Sequence, residues 1–246
     1  MKIKDLTEIC GLPIKLKGNK LEFGKGMQKV IPDVRTFEQM KPVLKNPKAK
    51  TPKDFYYMYR EVCIEKDREK IRKNNLRYDI TVLPGFKVGD EYNKTLGHFH
   101  PKNYPEVYEV LSGKAMYLLQ SDKEFMVYDA RPGDKCLMFP KFGHITINPS
   151  SEPLVMANWV YPGFASEYGA IKEKKGANWF YTENGFTPNM NYEKVPVIKI
   201  VTAKEFQKFG LNSKPMYLEG IKNPKKFEWL SKPEKYKKLF EEYLKY

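Results

Sequence analysis

The chain has three histidines among 246 residues. His98 and His100 form a His-x-His pair, Glu106 follows soon after, and His144 stands alone. Neutral imidazoles with a carboxylate are an ordinary ligand set for Zn, Fe, Mn or Ni, and the second ring nitrogen of each ligating histidine needs a partner of its own. Residues i and i+2 of a β-strand share a face, about 6.5–7 Å apart along it, so a His-x-His on a strand can turn two imidazoles towards one ion. An isolated pair would more simply face solvent from an edge strand. A set that takes in every histidine of the chain is instead read as a metal site. Such a centre can polarise a substrate oxygen as a Lewis acid, or, with iron, carry oxygen chemistry.

The elements around these residues read as β-strands. "DFYYMYREVCI" (54–64) is dense in aromatic and β-branched residues, and "LRYDITVLPG" runs into a Pro-Gly turn. Between them "EKDREKIRKNN" is a long turn or a short exposed helix. Short strand-turn units then come in close succession: "GHFHP", "EVYEVLSG", "KAMYLLQ", "EFMVYDARPGD", "KCLMFP", "HITIN" and "LVMANWVYPG". Many short strands at this spacing argue for an all-β sandwich or barrel. Before them, "RTFEQMK" predicts a short helix with Thr36 as cap, Gln39 as capping-box partner and Pro42 as its stop. The tail changes character. "TAKEFQKFG" predicts a helix capped by Thr202 and Glu205 and ended by Gly210. In "SKPEKYKKLFEEYLKY", Ser231 and Glu234 suggest a capping box ahead of an apolar stripe of Tyr236, Leu239, Phe240, Tyr243 and Leu244.

Hydrophobic residues make up 41% and charged residues 30%, which fits a globular chain and excludes a disordered one. No apolar run reaches the ~18 residues of a membrane-spanning helix, and the start has no secretory pattern, so a cytoplasmic location is expected. Cys10, Cys63 and Cys136 are few and far apart, which argues for reduced buried thiols rather than a disulfide framework. The net charge of +14 suits a solvated surface or steering of an anionic substrate such as a sugar phosphate. Its spread along the chain, with no basic tail or DNA-binding motif, argues against nucleic acid.

His98-x-His100, Glu106 and Gly113, followed by "PGDKCLMFPKFGHITIN" with His144 and Asn148, resemble the two motifs of the cupin superfamily, with one or two more residues between His100 and Glu106 than is common. "TVLPGFKVGDEYNKTLGHFH", "PEVYEVLSG", "YLLQ" and "VYPGFASEYGAI" narrow the resemblance to the cupin-type glucose-6-phosphate isomerases best represented in archaea. It covers about residues 11–185 and is strongest over 78–170. It implies a mainly β chain: a single cupin jelly-roll barrel over 51–185, an N-terminal arm (1–50) of short strands and a helix packed on it, and a helical C-terminal extension (186–246).

The resemblance further implies one divalent metal ion per chain, Fe2+ first and Zn2+, Mn2+ or Ni2+ as alternatives, held by His98, His100, Glu106 and His144. Thr81, Thr95, Gly97 and Tyr161 would bind the phosphate of a hexose phosphate substrate, with Tyr108 and Tyr168 lining the pocket. Glu106 is the candidate base, since proton abstraction beside a carbonyl needs one within reach of the carbon. A hydride shift is the competing route. A homodimer is the family expectation. The family commonly has a histidine just before the tyrosine matching Tyr168, and this chain has Glu167 there. A dioxygenase, a mannose-6-phosphate-epimerising isomerase and a non-catalytic sugar-phosphate-binding cupin are the alternatives.

Overall fold

The computed structural model describes residues 3–203 and 206–244. Three short strands, β1 (Ile3–Asp5), β2 (Ile14–Lys17) and β3 (Lys20–Phe23), form a small antiparallel sheet, with the one-turn helix α1 (Thr7–Cys10) between the first two. β4 (Asp33–Thr36) runs into α2 (Phe37–Met40). The predicted cap is formed: Thr36 is the N-cap and its backbone N–H donates to the Gln39 carboxamide at 3.0 Å. β5 (Asp54–Tyr59) comes next, then a 3-10 turn and α3 (Arg68–Lys73), then β6 (Arg77–Leu83) and the two-residue strands β7 (Lys87–Val88) and β8 (Glu91–Tyr92).

The barrel continues with β9 (Glu106–Ser112), β10 (Ala115–Gln120), β11 (Phe125–Ala130), β12 (Lys135–Met138), β13 (Gly143–Ile147) and β14 (Leu154–Val160). After α4 (Gly169–Glu173) come β15 (Trp179–Thr182), β16 (Gly185–Pro188) and β17 (Ile198–Val201), and the chain closes with α5 (Met216–Lys222) and α6 (Lys237–Leu244). One wall of the barrel is a six-stranded sheet in the order β12-β9-β14-β6-β5-β4. The other is the four-stranded sheet β13-β10-β11-β17, and a further sheet, β16-β15-β8-β7, flanks them. All pairings are antiparallel except β11 with β17. The protein is therefore mainly β with a helical C-terminal part, as the sequence predicts. Both flanking segments lend a strand to the walls: β4 precedes residue 51 and β17 lies beyond residue 185.

Alternation along the strands decides what faces the barrel interior. β9 turns Glu106, Tyr108 and Val110 inwards and Glu109 outwards; β14 turns Asn158 inwards and Trp159 outwards. Every residue of β9 and β14 is buried, because the outer face of this wall is covered as well, and so β14 reads as an apolar run broken only by Asn158. The cover is the C-terminal segment. Trp159 stacks on Tyr217, packs 4.7 Å from Tyr78 between ring centroids, and donates its indole N–H to Met216 O at 3.0 Å. Buried Glu109 accepts the Met216 backbone N–H at 3.0 Å and lies 3.0 Å from the Lys135 ammonium. Trp229, Phe209, Phe227 and Phe240 continue this aromatic layer.

Three local expectations are corrected. "GHFHP" is not a strand. It makes single bridges, His98 to His144 and Phe99 to Glu167, because Gly97 at φ +81° breaks the extended run. Among the described residues "TAKEFQKFG" supplies the 3-10 turn Gln207–Phe209, closed as expected by Gly210 in the left-handed region; Glu205, the expected capping partner, lies outside the described residues. The Ser231–Glu234 box is not formed. A 3-10 helix over Pro224–Leu230 runs up to Ser231, whose hydroxyl donates to Glu228 O at 3.2 Å, and α6 begins only at Lys237 after a second 3-10 turn. The apolar stripe still turns to the core: Phe240 is buried, and Tyr236, Leu239, Tyr243 and Leu244 pack against it.

Trp229 is fully buried in the aromatic layer. Trp229→Ala is expected to destabilise the protein by about 3–5 kcal/mol through lost transfer energy and a residual cavity. Urea denaturation checks this; a loss below about 1 kcal/mol would show that the layer is not well packed.

Candidate active site and metal centre

The two walls meet around four side chains. Glu106 opens β9, and its inward carboxylate is fixed by Asn158 of the paired strand β14, whose Nδ2 donates to Oε1 at 2.6 Å. That leaves Oε2 facing the histidines: it lies 3.1 Å from His144 Nε2 and 3.5 Å from His100 Nε2. His144 comes from β13 of the opposite wall. His98 is bridged to it by paired backbone hydrogen bonds of 3.2 and 3.0 Å, so the irregular segment around Gly97 is clamped where the imidazoles must converge. Glycine is required at 97: besides its positive φ, a Cβ there would collide with the Ile145 side chain. Gly143 has the same role against the ring of Phe99.

His98 Nε2 and His100 Nε2 are 3.0 Å apart, and one ligand atom from each of His98, His100, Glu106 and His144 falls within 4.8 Å of all the others. His100 Nδ1 is bonded to Tyr104 O at 2.9 Å, which sets the ring so that Nε2 points into the cluster. His144 Nε2 is buried and makes no hydrogen bond; although close to Glu106, it is out of line for one. An orphaned imidazole nitrogen, two others crowded against it and one carboxylate oxygen turned the same way fit a divalent cation.

The electrostatics agree. His98 is held well below the usual imidazole range, first by burial, then by the neighbouring His144 and His100 rings and by Arg60 and Arg35. Burial also brings His100 down to about 4, against the opposing field of Glu106. Burial alone would raise Glu106, but the His144 and His100 rings and the Tyr108 hydroxyl outweigh it and hold the carboxyl below its ordinary value. Neutral rings beside an ionised carboxylate are the protonation states that metal binding requires.

All ten residues singled out in the sequence line one cavity: the four above and Thr81, Thr95, Gly97, Tyr108, Tyr161 and Tyr168. Thr81 lies on β6 opposite Met156. The Thr95 hydroxyl accepts the Thr146 backbone N–H at 2.9 Å. Tyr108 packs 5.9 Å from the His144 ring and Tyr168 5.5 Å from the His98 ring. Tyr161 sits beyond the end of β14, in an aromatic group with Tyr104 and Phe164, and Phe164 packs 4.5 Å from His100. Glu167 is exposed and does not line the cavity, since alternation turns Ser166 and Tyr168 inwards instead. Asn148 is structural: its amide donates to Leu83 O and Glu152 O.

Sequence reasoning missed Asn158, Arg60 and Arg77, which also line the cavity. A signal existed for two of them. Asn158 interrupts the apolar run "LVMANWV", and Arg77 and Asp79 alternate with apolar neighbours in "LRYDITV" in phase with Thr81.

A mainly β barrel with a buried three-histidine, one-carboxylate centre between its walls defines a cupin with a candidate metal site. Comparison with known proteins then places the chain. The family described as "Glucose-6-phosphate isomerase (GPI)" matches residues 34–197. Glucose-6-phosphate isomerase of Thermococcus gammatolerans is 35% identical over 131 residues, 52% of this chain and 67% of that protein. That of Pyrococcus abyssi is 32% identical over 178 residues, 68% of this chain and 90% of that protein. The putative glucose-6-phosphate isomerase 2 of Rhizobium meliloti is 29% identical over 150 residues, 53% and 74% of the two chains. The chain belongs to the glucose-6-phosphate isomerase family, in its archaeal-type cupin branch, and is an enzyme of that family. No described helix is long and apolar enough to cross a membrane.

The depressed His100 has a consequence for stability. Its ring stays neutral in the fold down to about 4, whereas in the unfolded chain it takes up a proton near the ordinary 6.5. The unfolded state then binds more protons between those values, so the metal-free fold loses stability as pH falls from 6.5 towards 4. In His100→Gln the urea midpoint is expected to vary less with pH over that window. An equal or steeper dependence would contradict the burial argument.

Proposed function

We propose that the cavity interconverts glucose 6-phosphate and fructose 6-phosphate as a metal-dependent aldose–ketose isomerase. The observation that carries this reading is the convergence of His98, His100, Glu106 and His144 in one cavity with Thr81, Thr95 and Gly97, in a chain of the glucose-6-phosphate isomerase family. His98, His100, Glu106 and His144 would hold one divalent ion, Fe2+ first, with Zn2+, Mn2+ or Ni2+ admitted by the same donor set. That ion, when bound, supplies positive charge at the O1 and O2 end of the sugar.

This chain's own residues do the rest. Asn158 holds Glu106 Oε1 and Oε2 faces the histidines, so Glu106 serves as base by releasing the ion that Oε2 would hold. Glu106, ionised at neutral pH, takes the proton from C2 of the open-chain aldose. The electron pair left behind forms the C1–C2 double bond of an enediolate as the carbonyl pair moves onto O1; the same carboxyl returns the proton to C1, the O2 hydroxyl proton passes to O1, and C2 becomes the ketone. Its low pKa makes Glu106 a weak base, so the step depends on stabilising the oxygens as charge develops. Thr81, Thr95, Gly97 and Tyr161 offer hydroxyl and amide donors to the phosphate, whose binding energy fixes the reacting carbons. Tyr108 and Tyr168 wall the site next to the histidines and limit water. The family resemblance also supports a homodimer and a cytoplasmic location.

The test strips the purified protein with chelator, reloads it with Fe(II), Mn(II), Ni(II) or Zn(II), and monitors glucose 6-phosphate formed from fructose 6-phosphate with a coupled dehydrogenase. Activity is expected to vanish with chelator and return with metal; one bound metal per chain with no turnover would sink the isomerase reading. Glu106→Gln is expected to lower kcat by about 10²–10⁴-fold, and unchanged turnover removes its role as base. Asn158→Ala should cost about 10–100-fold in metal affinity or activity. His144→Ala should lower metal content per chain.

A further inference from the structure

Two cationic side chains in the cavity have no part in the mechanism above. Arg77 opens β6 and pairs through Val160 of β14 with Glu106 of β9, so the three residues form one row across the wall. Neighbouring strands are about 4.8 Å apart, which puts the Arg77 and Glu106 backbones about 10 Å from each other. Arg60 comes directly after Tyr59, whose partner is Ile80, and so reaches the next row, where Asp79 stands opposite Asn158 and Asn158 opposite Tyr108.

Asp79 is fully buried and joins the two arginines. Its carboxylate accepts Arg60 Nη1 at 2.8 Å, Arg77 Nε at 2.9 and 3.1 Å and the Glu61 backbone N–H at 2.9 Å, and lies 2.9 Å from Arg77 Nη2. This saturates Asp79, so it has no capacity left for chemistry. The arginines are different. Their side chains keep 39% and 26% of their surface, and both line the cavity. Arg60 Nε also lies 3.9 Å from the exposed Asp33 carboxylate and its Nη2 donates to Met58 Sδ at 3.2 Å, so two guanidiniums face two carboxylates and Arg77 Nη1 is the nitrogen left without a partner among the described residues.

A buried ion cluster is a poor way to gain stability, because desolvation offsets the attraction and apolar side chains would fill the same space. It does hold two planar donor forks at a fixed angle, and such forks match the oxygens of a phosphate. The Thr81 end of the cavity offers hydroxyls and an amide instead, and Thr81 lies two inward-facing positions beyond Arg77 on the same strand. The cavity therefore has two chemically distinct anion-ready regions.

We propose that Arg60 and Arg77 are specificity-determining residues that grip a phosphate group of the sugar on the Glu106 side of the cavity, with Asp79 as the positioning residue that sets them. This rests on the reading of the cavity as a sugar-phosphate site. The phosphate gripped there is the second phosphate of a hexose bisphosphate, the first being held by the donors of Thr81, Thr95, Gly97 and Tyr161.

The test is calorimetric titration of the full chain and its Arg60→Met and Arg77→Met variants with hexitol 6-phosphate and hexitol 1,6-bisphosphate. Thermal melting and metal content serve as controls for the fold. The expected result is a loss of at least tenfold in affinity for the bisphosphate in each variant. A loss confined to the bisphosphate supports the proposal; an equal loss for both ligands puts the arginines on the single phosphate and overturns it. Affinities within twofold of the unaltered chain for both ligands overturn the proposal. If a methionine variant does not fold, Arg77→Lys replaces it: lysine keeps the charge for Asp79 but not the fork, so weaker bisphosphate binding supports the proposal and unchanged binding overturns it. An unaltered chain that binds neither ligand overturns the sugar-phosphate reading and this inference together. Binding without turnover removes only the isomerase reading.

Discussion

A carboxylate buried inside a β-barrel has to be compensated, and the arrangement of the site reflects how this is done for Glu106. Its side chain is almost wholly removed from water. One oxygen is satisfied by Asn158 across the β9–β14 ladder. The other faces the imidazoles of His144 and His100, and burial holds His100 and its neighbour His98 below the usual imidazole range. A neutral ring cannot balance a negative charge as a cation would, and the cluster is a candidate site for a divalent ion. The positions of His98 and His144 on opposed chain segments, the glycine at 97 and the bonding of His100 to Tyr104 O all serve the same convergence.

The six-stranded wall has to meet two demands at once. Its inner face carries Glu106, Asn158, Asp79 and Arg77; its outer face carries Trp159, Tyr78 and Glu109. A slip of one residue in the register of β14 would put an indole into the cavity and an amide into an apolar layer. The C-terminal segment therefore supports the site although it contributes no residue to the cavity: by seating on Trp159 it fixes which way Asn158 points.

Much of this is legible in the sequence, for identifiable reasons. The candidate metal set can be read because histidine is so scarce in this chain that the pattern stands out, and the strands from β9 to β14 because each is bounded by turn residues. The features that cannot be read depend on tertiary contact. "GHFHP" has strand-like composition, but Gly97 bends it. Ser231 and Glu234 have capping-box spacing, but the preceding 3-10 turn claims the Ser231 hydroxyl. Arg60 and Asp79 are far apart in sequence, and only the pairing of β5 with β6 makes them partners. Nor does periodicity say which apolar face a late helix will cover. The tail's stripe is visible in the sequence, but the extent of the aromatic layer it joins is not.

The covering of the barrel wall also has a consequence in time. β6 and β14 are made well before α5, the 3-10 helix over Pro224–Leu230 and α6. At about 5–20 residues per second, the ribosome needs several seconds to add the rest of the chain beyond β14. For that interval Tyr78 and Trp159 form a sticky apolar surface on a nascent chain whose strands through β14 are already made. A chaperone that binds aromatic surface would find its target there, and would be displaced once Tyr217 and Phe227 emerged.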